Sequence, residues 1–167
     1  LPELQLNGLE LPKGADAGIP GRKLTQILAM GEAALHAHEG SEWLEWCAGK
    51  GHLGRLLSLQ QSRNVVSLEW QPTLCEQGNT LARKHQVLQH VEQVDVFSAE
   101  TENLLAPKHH AVALHACGDL HVRLLKLGAH KKVSQLSLAP CCYHLIQTNN
   151  YNPMSDLALS SDLLLSK

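Results

Sequence analysis

The chain is 167 residues long, enough for one domain with a sizeable core and too short for two comfortable ones. Aromatic residues make up only 4% of a chain that is 44% hydrophobic, so Leu, Val and Ala must fill the interior; that favours helices on a parallel sheet over a β-sandwich. The formal net charge of -2 rules out a global basic field for gripping a phosphate backbone, and no apolar run approaches the ~20 residues of a membrane span. Cys47, Cys75, Cys117, Cys141 and Cys142 are an odd set with neither paired CxxC nor secreted-framework spacing. With no signal peptide, this points to a reducing, cytoplasmic setting. A start at Leu1 and a stop at Lys167 suit a piece of a longer protein.

In chain order, residues 1–21 hold Gly8, Pro12, Gly14, Gly18, Pro20 and Gly21 and read as a loop or linker ahead of a domain at 22–167. Apolar spacing predicts a helix over 22–37, with strands and helices alternating after it. Strands are expected at 43–47, 65–69, 91–96, 111–116 and 133–139. Helices are expected at 53–61, at 72–85 with Pro72 in the first turn, at 121–127, and at 156–165 as a last amphipathic segment. Residues 107–110 read as a turn. Short strand–helix alternation means βαβ units and a doubly wound parallel sheet, with ligands bound beyond the carboxyl ends of the strands.

The first of those ends is the most informative. Trp43-Leu44-Glu45-Trp46-Cys47-Ala48-Gly49-Lys50-Gly51-His52-Leu53-Gly54 is an apolar strand with an acid near its end, then a glycine turn, then a helix start. Gly49 and Gly51 let a ligand approach bare backbone, and the helix offers free N–H groups. Glu69, at the end of the second strand, is placed to accept two ribose hydroxyls. Trp70 beside it is a surface for an adenine face, and Asp95 is a candidate for the adenine amino group. Glu45 and Glu69 are expected to face one shared cavity on either side of the bend.

The hydrophobic-acid-hydrophobic-x-x-G-x-G pattern resembles motif I of class I S-adenosylmethionine-dependent methyltransferases, with Cys47 where that motif has its first glycine. Leu114-His115-Ala116-Cys117-Gly118-Asp119 and Pro140-Cys141-Cys142-Tyr143-His144 follow strands four and five. Together with Gly21-Arg22-Lys23, these segments resemble one branch of that family, over roughly residues 20–147. The branch includes uncharacterised bacterial members, the methyltransferase part of glutathione S-transferase C-terminal-domain-containing proteins, and eukaryotic tRNA ribose 2′-O-methyltransferases. The resemblance implies a Rossmann-like class I core, here without the terminal β6–β7 hairpin. It also implies S-adenosylmethionine as cofactor, in-line transfer of its methyl group, and RNA as an acceptor. In that family the acid at position 45 orients the loop that meets the methionine amino group. Glu45, Cys47, Gly49, Gly51, Glu69, Trp70, Asp95 and His115 would then surround the cofactor.

Strands four and five are neighbours in such a fold, so His115, Cys117, Cys141, Cys142, Tyr143 and His144 should gather on the acceptor side. His115 and Tyr143 are the candidate catalytic residues. Three readings of the cluster stand side by side: His115 as a general base, the thiols with a histidine as zinc ligands, or small thiols packed beside the cofactor. Lacking a paired zinc motif, the sequence is assigned no metal. His36, His38, His85, His90, His109, His110, His121 and His130 read as surface or helix-end groups. Two alternatives to a methyltransferase remain: a nicotinamide dinucleotide oxidoreductase, which the incomplete glycine set disfavours, and a catalytically silent binding domain.

Overall fold

The computed structural model describes residues 5–39 and 42–163. Its architecture follows from the first strand, β1 (Glu42–Trp46), which alternates side chains between two buried faces. Trp43, Leu44 and Trp46 are all fully buried, so this strand needs cover on both faces and a partner along each edge. It pairs in parallel with β2 (Val65–Glu69) on one side and β4 (His109–Leu114) on the other. β3 (Gln89–Gln93) and β5 (Gln135–Ala139) extend the sheet to the order β3-β2-β1-β4-β5, every pairing parallel. This is the doubly wound, Rossmann-like α/β sheet that the sequence predicts.

Helices α1 (Gly21–His36) and α2 (His52–Gln61) cover the Trp43 face, where Leu53, Leu57, Ile27 and Val112 pack against the indole. α4 (Asp119–His130) covers the other face through Leu124 and Leu127 against Leu44 and Trp46. α3 (Pro72–Lys84) lies against β3, with Gly78 close to Val91. Both indoles of β1 find acceptors for their N–H groups, which buried tryptophan requires. Trp43 Nε1 donates to Gln61 Oε1 at 3.0 Å and Trp46 Nε1 to the Leu120 carbonyl at 3.1 Å.

Several boundaries differ from the sequence expectation. β3 runs over 89–93, not 91–96: β2 stops at Glu69, whose carbonyl takes the Val94 N–H, and Val94 and Val96 enter the core from a loop. β4 begins at His109, because Glu42 of β1 pairs with it. It ends at Leu114, because His115 turns to a φ of +66°. His109 and His110 are therefore strand residues, not a solvated turn; both are buried, as is His121. His110 stacks on Trp43 at 4.5 Å and donates or accepts at Ser137 Oγ, and burial pushes its pKa down to about 4. The last helix, α5, spans only Asp156–Leu159 and buries no residue; positions 164 and 165 of its expected span lie outside the described residues. Among the described residues the sheet has five strands and no terminal hairpin, and no helix is long and apolar enough to cross a membrane.

Residues 5–20 lack regular secondary structure, as their glycines and prolines predict, yet they are packed onto the domain. Ala15 is buried, and Leu9, Leu11 and Ile19 lie against the α1–α2 cluster. The tether is Glu32 of α1, itself buried, whose carboxylate accepts the N–H groups of Asn7 at 2.5 Å and Gly8 at 2.9 Å. Glu32→Ala would leave two part-buried N–H groups without an acceptor. It is expected to destabilise the chain by about 2 kcal/mol in urea denaturation, and to speed amide exchange in residues 5–15 ahead of the sheet.

Candidate cofactor site

Strand order reverses between β1 and β4, and the loops that follow those two strands diverge to opposite sides of the gap. The chain leaves β1 through three residues in left-handed backbone: Cys47 at φ +55°, Gly49 at +60° and Gly51 at +64°. Cys47 thus adopts a glycine-type conformation, at a cost of about 1 kcal/mol for its Cβ. Gly51 has no such freedom to vary, since a Cβ there would sit 2.4 Å from Gln89 Nε2. Gly49 faces open space, as a backbone that approaches a ligand should.

Beneath this turn lies a buried polar network. Ser67 donates to Glu45 Oε2 at 2.6 Å, and Gln89 Nε2 donates both to Ser67 Oγ and to the Gly51 carbonyl, each at 2.8 Å. Helix α2 comes close enough for a Cβ on Gly54 to fall 2.6 Å from Glu45 Oε2, and the Gly54 and Leu53 N–H groups point at that carboxylate. Burial raises the Glu45 pKa to about 7, against the opposing pull of Ser67, those N–H groups and the Arg55 guanidinium. Arg55 is itself buried and contacts His52 Nδ1 at 2.5 Å. Burial and the Arg55 charge push His52 down to about 4, so its ring is neutral and accepts that bond.

Glu69 is engaged differently. Its Oε2 accepts the Gly49 N–H and its Oε1 the Gln71 N–H, both at 2.9 Å. Two backbone donors fix the carboxylate plane, and each oxygen keeps a second lone-pair direction for a ligand. Glu69 lines a cavity of about 430 Å³ together with Cys47, Trp70, Asp95, Phe97 and Leu120. Asp95 Oδ1 accepts the Phe97 N–H at 2.9 Å, which orders the far wall. Glu45 lines a neighbouring cavity of about 150 Å³ with Lys23, Gly49, His52 and His115. The two carboxylates therefore do not face one shared cavity as expected. They border adjoining ones that meet at Cys47, because Glu45 points down into the α2 side of the sheet while Glu69 stands at the strand end. Burial, reinforced by the Glu69 charge, pushes the Cys47 thiol up to about 12, so it is a neutral wall of both cavities.

On the β4 side, His115 Nε2 lies 3.0 Å from Gln26 Oε1 of α1. That assignment makes Nε2 the donor and leaves Nδ1 with its lone pair. His115 also borders a shallow groove with Arg22 and Lys23. Cys117 and Cys141 come within 2.8 Å, and Cys141 and Cys142 within 3.4 Å. Tyr143 and His144 border neither cavity; both are exposed, with the Tyr143 ring edge-on to His121. The sequence reading missed His52, Gln71, Phe97 and Leu120. Phe97, the single phenylalanine of the chain and two residues past Asp95, was the one of these with a visible signal.

Comparison with solved structures gives the same fold at low identity. A Pyrococcus abyssi tRNA (uracil-54, C5)-methyltransferase in complex with S-adenosyl-L-homocysteine matches with a TM-score of 0.53 and 19% identity, over 66% of this chain and 27% of that one. Coclaurine N-methyltransferase, bound to N-methylheliamine and S-adenosylhomocysteine, matches with 0.54 and 15%, over 72% and 37%. TehB from Haemophilus influenzae matches with 0.51 and 14%, over 62% and 36%. The chain thus spans less than two fifths of each of these proteins. No curated protein matches it by sequence. A family described as a methyltransferase domain matches residues 22–149, most of the chain, and the chain belongs to that family.

Proposed function

We propose that the two adjoining cavities bind S-adenosylmethionine and that the domain transfers its methyl group to RNA. The observation that carries the cofactor reading is Glu69: a buried carboxylate, fixed by two backbone N–H groups, on the edge of a cavity large enough for a nucleoside. Its free lone pairs suit the two ribose hydroxyls, with Trp70 and Phe97 as apolar surfaces for the adenine and Asp95 at its amino edge. The smaller cavity beside Gly49 and Glu45 suits the amino acid end. When bound, the cofactor supplies an electrophilic methyl group on a sulfonium, and the protein supplies alignment and water exclusion. His115, with Nδ1 free to accept, is placed to take the acceptor's proton. The thiols after β4 and β5 are assigned to the acceptor side, and Tyr143 and His144, exposed outside both cavities, are within reach only of a bound acceptor. RNA as acceptor is supported by the resemblance to tRNA-modifying methyltransferases and by the Arg22–Lys23 groove beside His115. Family membership sets aside the nicotinamide dinucleotide reading.

Titration calorimetry should show S-adenosylhomocysteine binding and no heat with NAD, and labelled methyl groups should pass into fractionated cellular RNA. Heat with NAD alone overturns the cofactor reading; transfer only into protein or metabolite fractions overturns the acceptor. Glu69→Ala removes a charged acceptor for two hydroxyls. It should weaken S-adenosylhomocysteine by about 30- to 100-fold, equal to about 2–3 kcal/mol. Because it also strips the Gly49 and Gln71 N–H groups of their acceptor, the melting temperature should fall, so binding is read at a temperature where the variant is folded.

The raised pKa of Glu45 sets a pH signature. In the free domain the carboxyl holds its proton up to about pH 7, and an ammonium group beside it favours the ionised form. Binding near pH 6.5, about half a unit below that pKa, should therefore release a proton, and binding near pH 8.5 should release none. Calorimetry in buffers of different ionisation enthalpy measures this directly. Glu45→Gln should abolish the release.

A further inference from the structure

Two loops that the sequence separates by more than twenty residues bring three thiols to one point. Cys117 follows β4 and Cys141 and Cys142 follow β5, and all three Sγ atoms lie within 4.8 Å of one another. The convergence is imposed by the backbone. His115 N–H donates to the Ala139 carbonyl, Gly118 N–H to Cys142 and Asp119 N–H to Leu145, while Asp119 Oδ2 takes the Gln147 N–H at 2.8 Å. Gly118, at φ +58°, is so tightly covered that a Cβ would fall 1.6 Å from the Leu145 carbonyl oxygen. Only glycine lets the second loop lie down on the first, and that contact sets Cys117 against Cys141.

We infer that Cys117, Cys141 and Cys142 form a zinc site with three protein ligands and one position open to solvent or to an acceptor atom. Three observations support it. First, zinc with ~2.3 Å bonds to sulfur places tetrahedral ligands about 3.8 Å apart. The separations here, 2.8, 3.4 and at most 4.8 Å, straddle that edge length. Second, the 2.8 Å Cys117–Cys141 separation is longer than the ~2.05 Å of a disulfide, so all three cysteines are free and their sulfurs are available as ligands. Third, the cluster is open on one side, since Cys141 is exposed and Cys117 and Cys142 are half-buried, so an ion can enter and keep a solvent ligand. Structural zinc sites are closed by four protein ligands; three and an opening match the pattern of a site that polarises or holds an incoming group. The site lies at the carboxyl end of the sheet, on the loops that follow β4 and β5. It does not depend on the cofactor reading.

Cobalt(II) serves as the probe. The fully reduced chain, titrated anaerobically, should take up one cobalt ion with a thiolate charge-transfer band and the visible bands of tetrahedral cobalt, all displaced by zinc. Cys141→Ser, a change at an exposed position that the fold tolerates, should weaken binding by about 100-fold or more. Cys117→Ser and Cys142→Ser should do the same, and Cys75→Ser, away from the cluster, should bind as the parent does. Absence of the charge-transfer band in the reduced chain overturns the site, as does a band that survives Cys141→Ser or disappears with Cys75→Ser. S-adenosylhomocysteine binding, measured separately on each variant, reports on the cofactor cavities alone.

Discussion

The carboxylate of Glu45, buried beneath the turn that follows β1, is the interaction on which the carboxyl end of this sheet depends. A charge or a hydroxyl at that depth must be satisfied, and it is: by Ser67, by the first N–H groups of α2, and at longer range by Arg55. Those bonds fix where α2 begins and hold the turn in its left-handed path. Gln89 ties the same network to the Gly51 carbonyl, so β1, β2, β3 and α2 meet at one polar knot. Gly54 completes it, since any side chain there would drive the helix off the carboxylate.

Once the turn is fixed, Glu69 can do a second job with little added cost. Its two oxygens are held by Gly49 and Gln71 rather than by a cation, so the group faces the large cavity already oriented. The division of labour is physical. Glu45 is buried and near neutrality in its protonation, which suits a role in holding backbone and responding to a nearby positive charge. Glu69 stands at the strand end, where a polar ligand can reach it without displacing the scaffold. Cys47 separates the two regions as an uncharged wall.

The β4 and β5 loops follow a different logic. Here backbone pairing between two loops replaces the buried network, and a single glycine, Gly118, sets how closely they approach. The result concentrates thiols on the loops after β4 and β5, with His115 held against α1. Thiols and an imidazole thus stand at the carboxyl end of the sheet, on loops that the strands fix.

Local pattern determined a good deal of this. The alternation of short apolar runs with helical periods specified five parallel strands, and Pro72 marked the start of α3, because both signals act within a few residues. The acid, the glycine turn and Glu69 were legible for the same reason: each sits at a strand end where the chain must turn. The tertiary structure alone decided the rest. Pairing with β1 drew His109 and His110 into a strand that their polarity had argued against, and β3 stopped where its partner β2 stopped. The separation of Glu45 and Glu69 into two cavities depends on how the turn after β1 packs between them, and the meeting of Cys117 with Cys141 on contacts between loops far apart in the chain. Such features arise from packing between distant segments, which no local pattern of residues encodes.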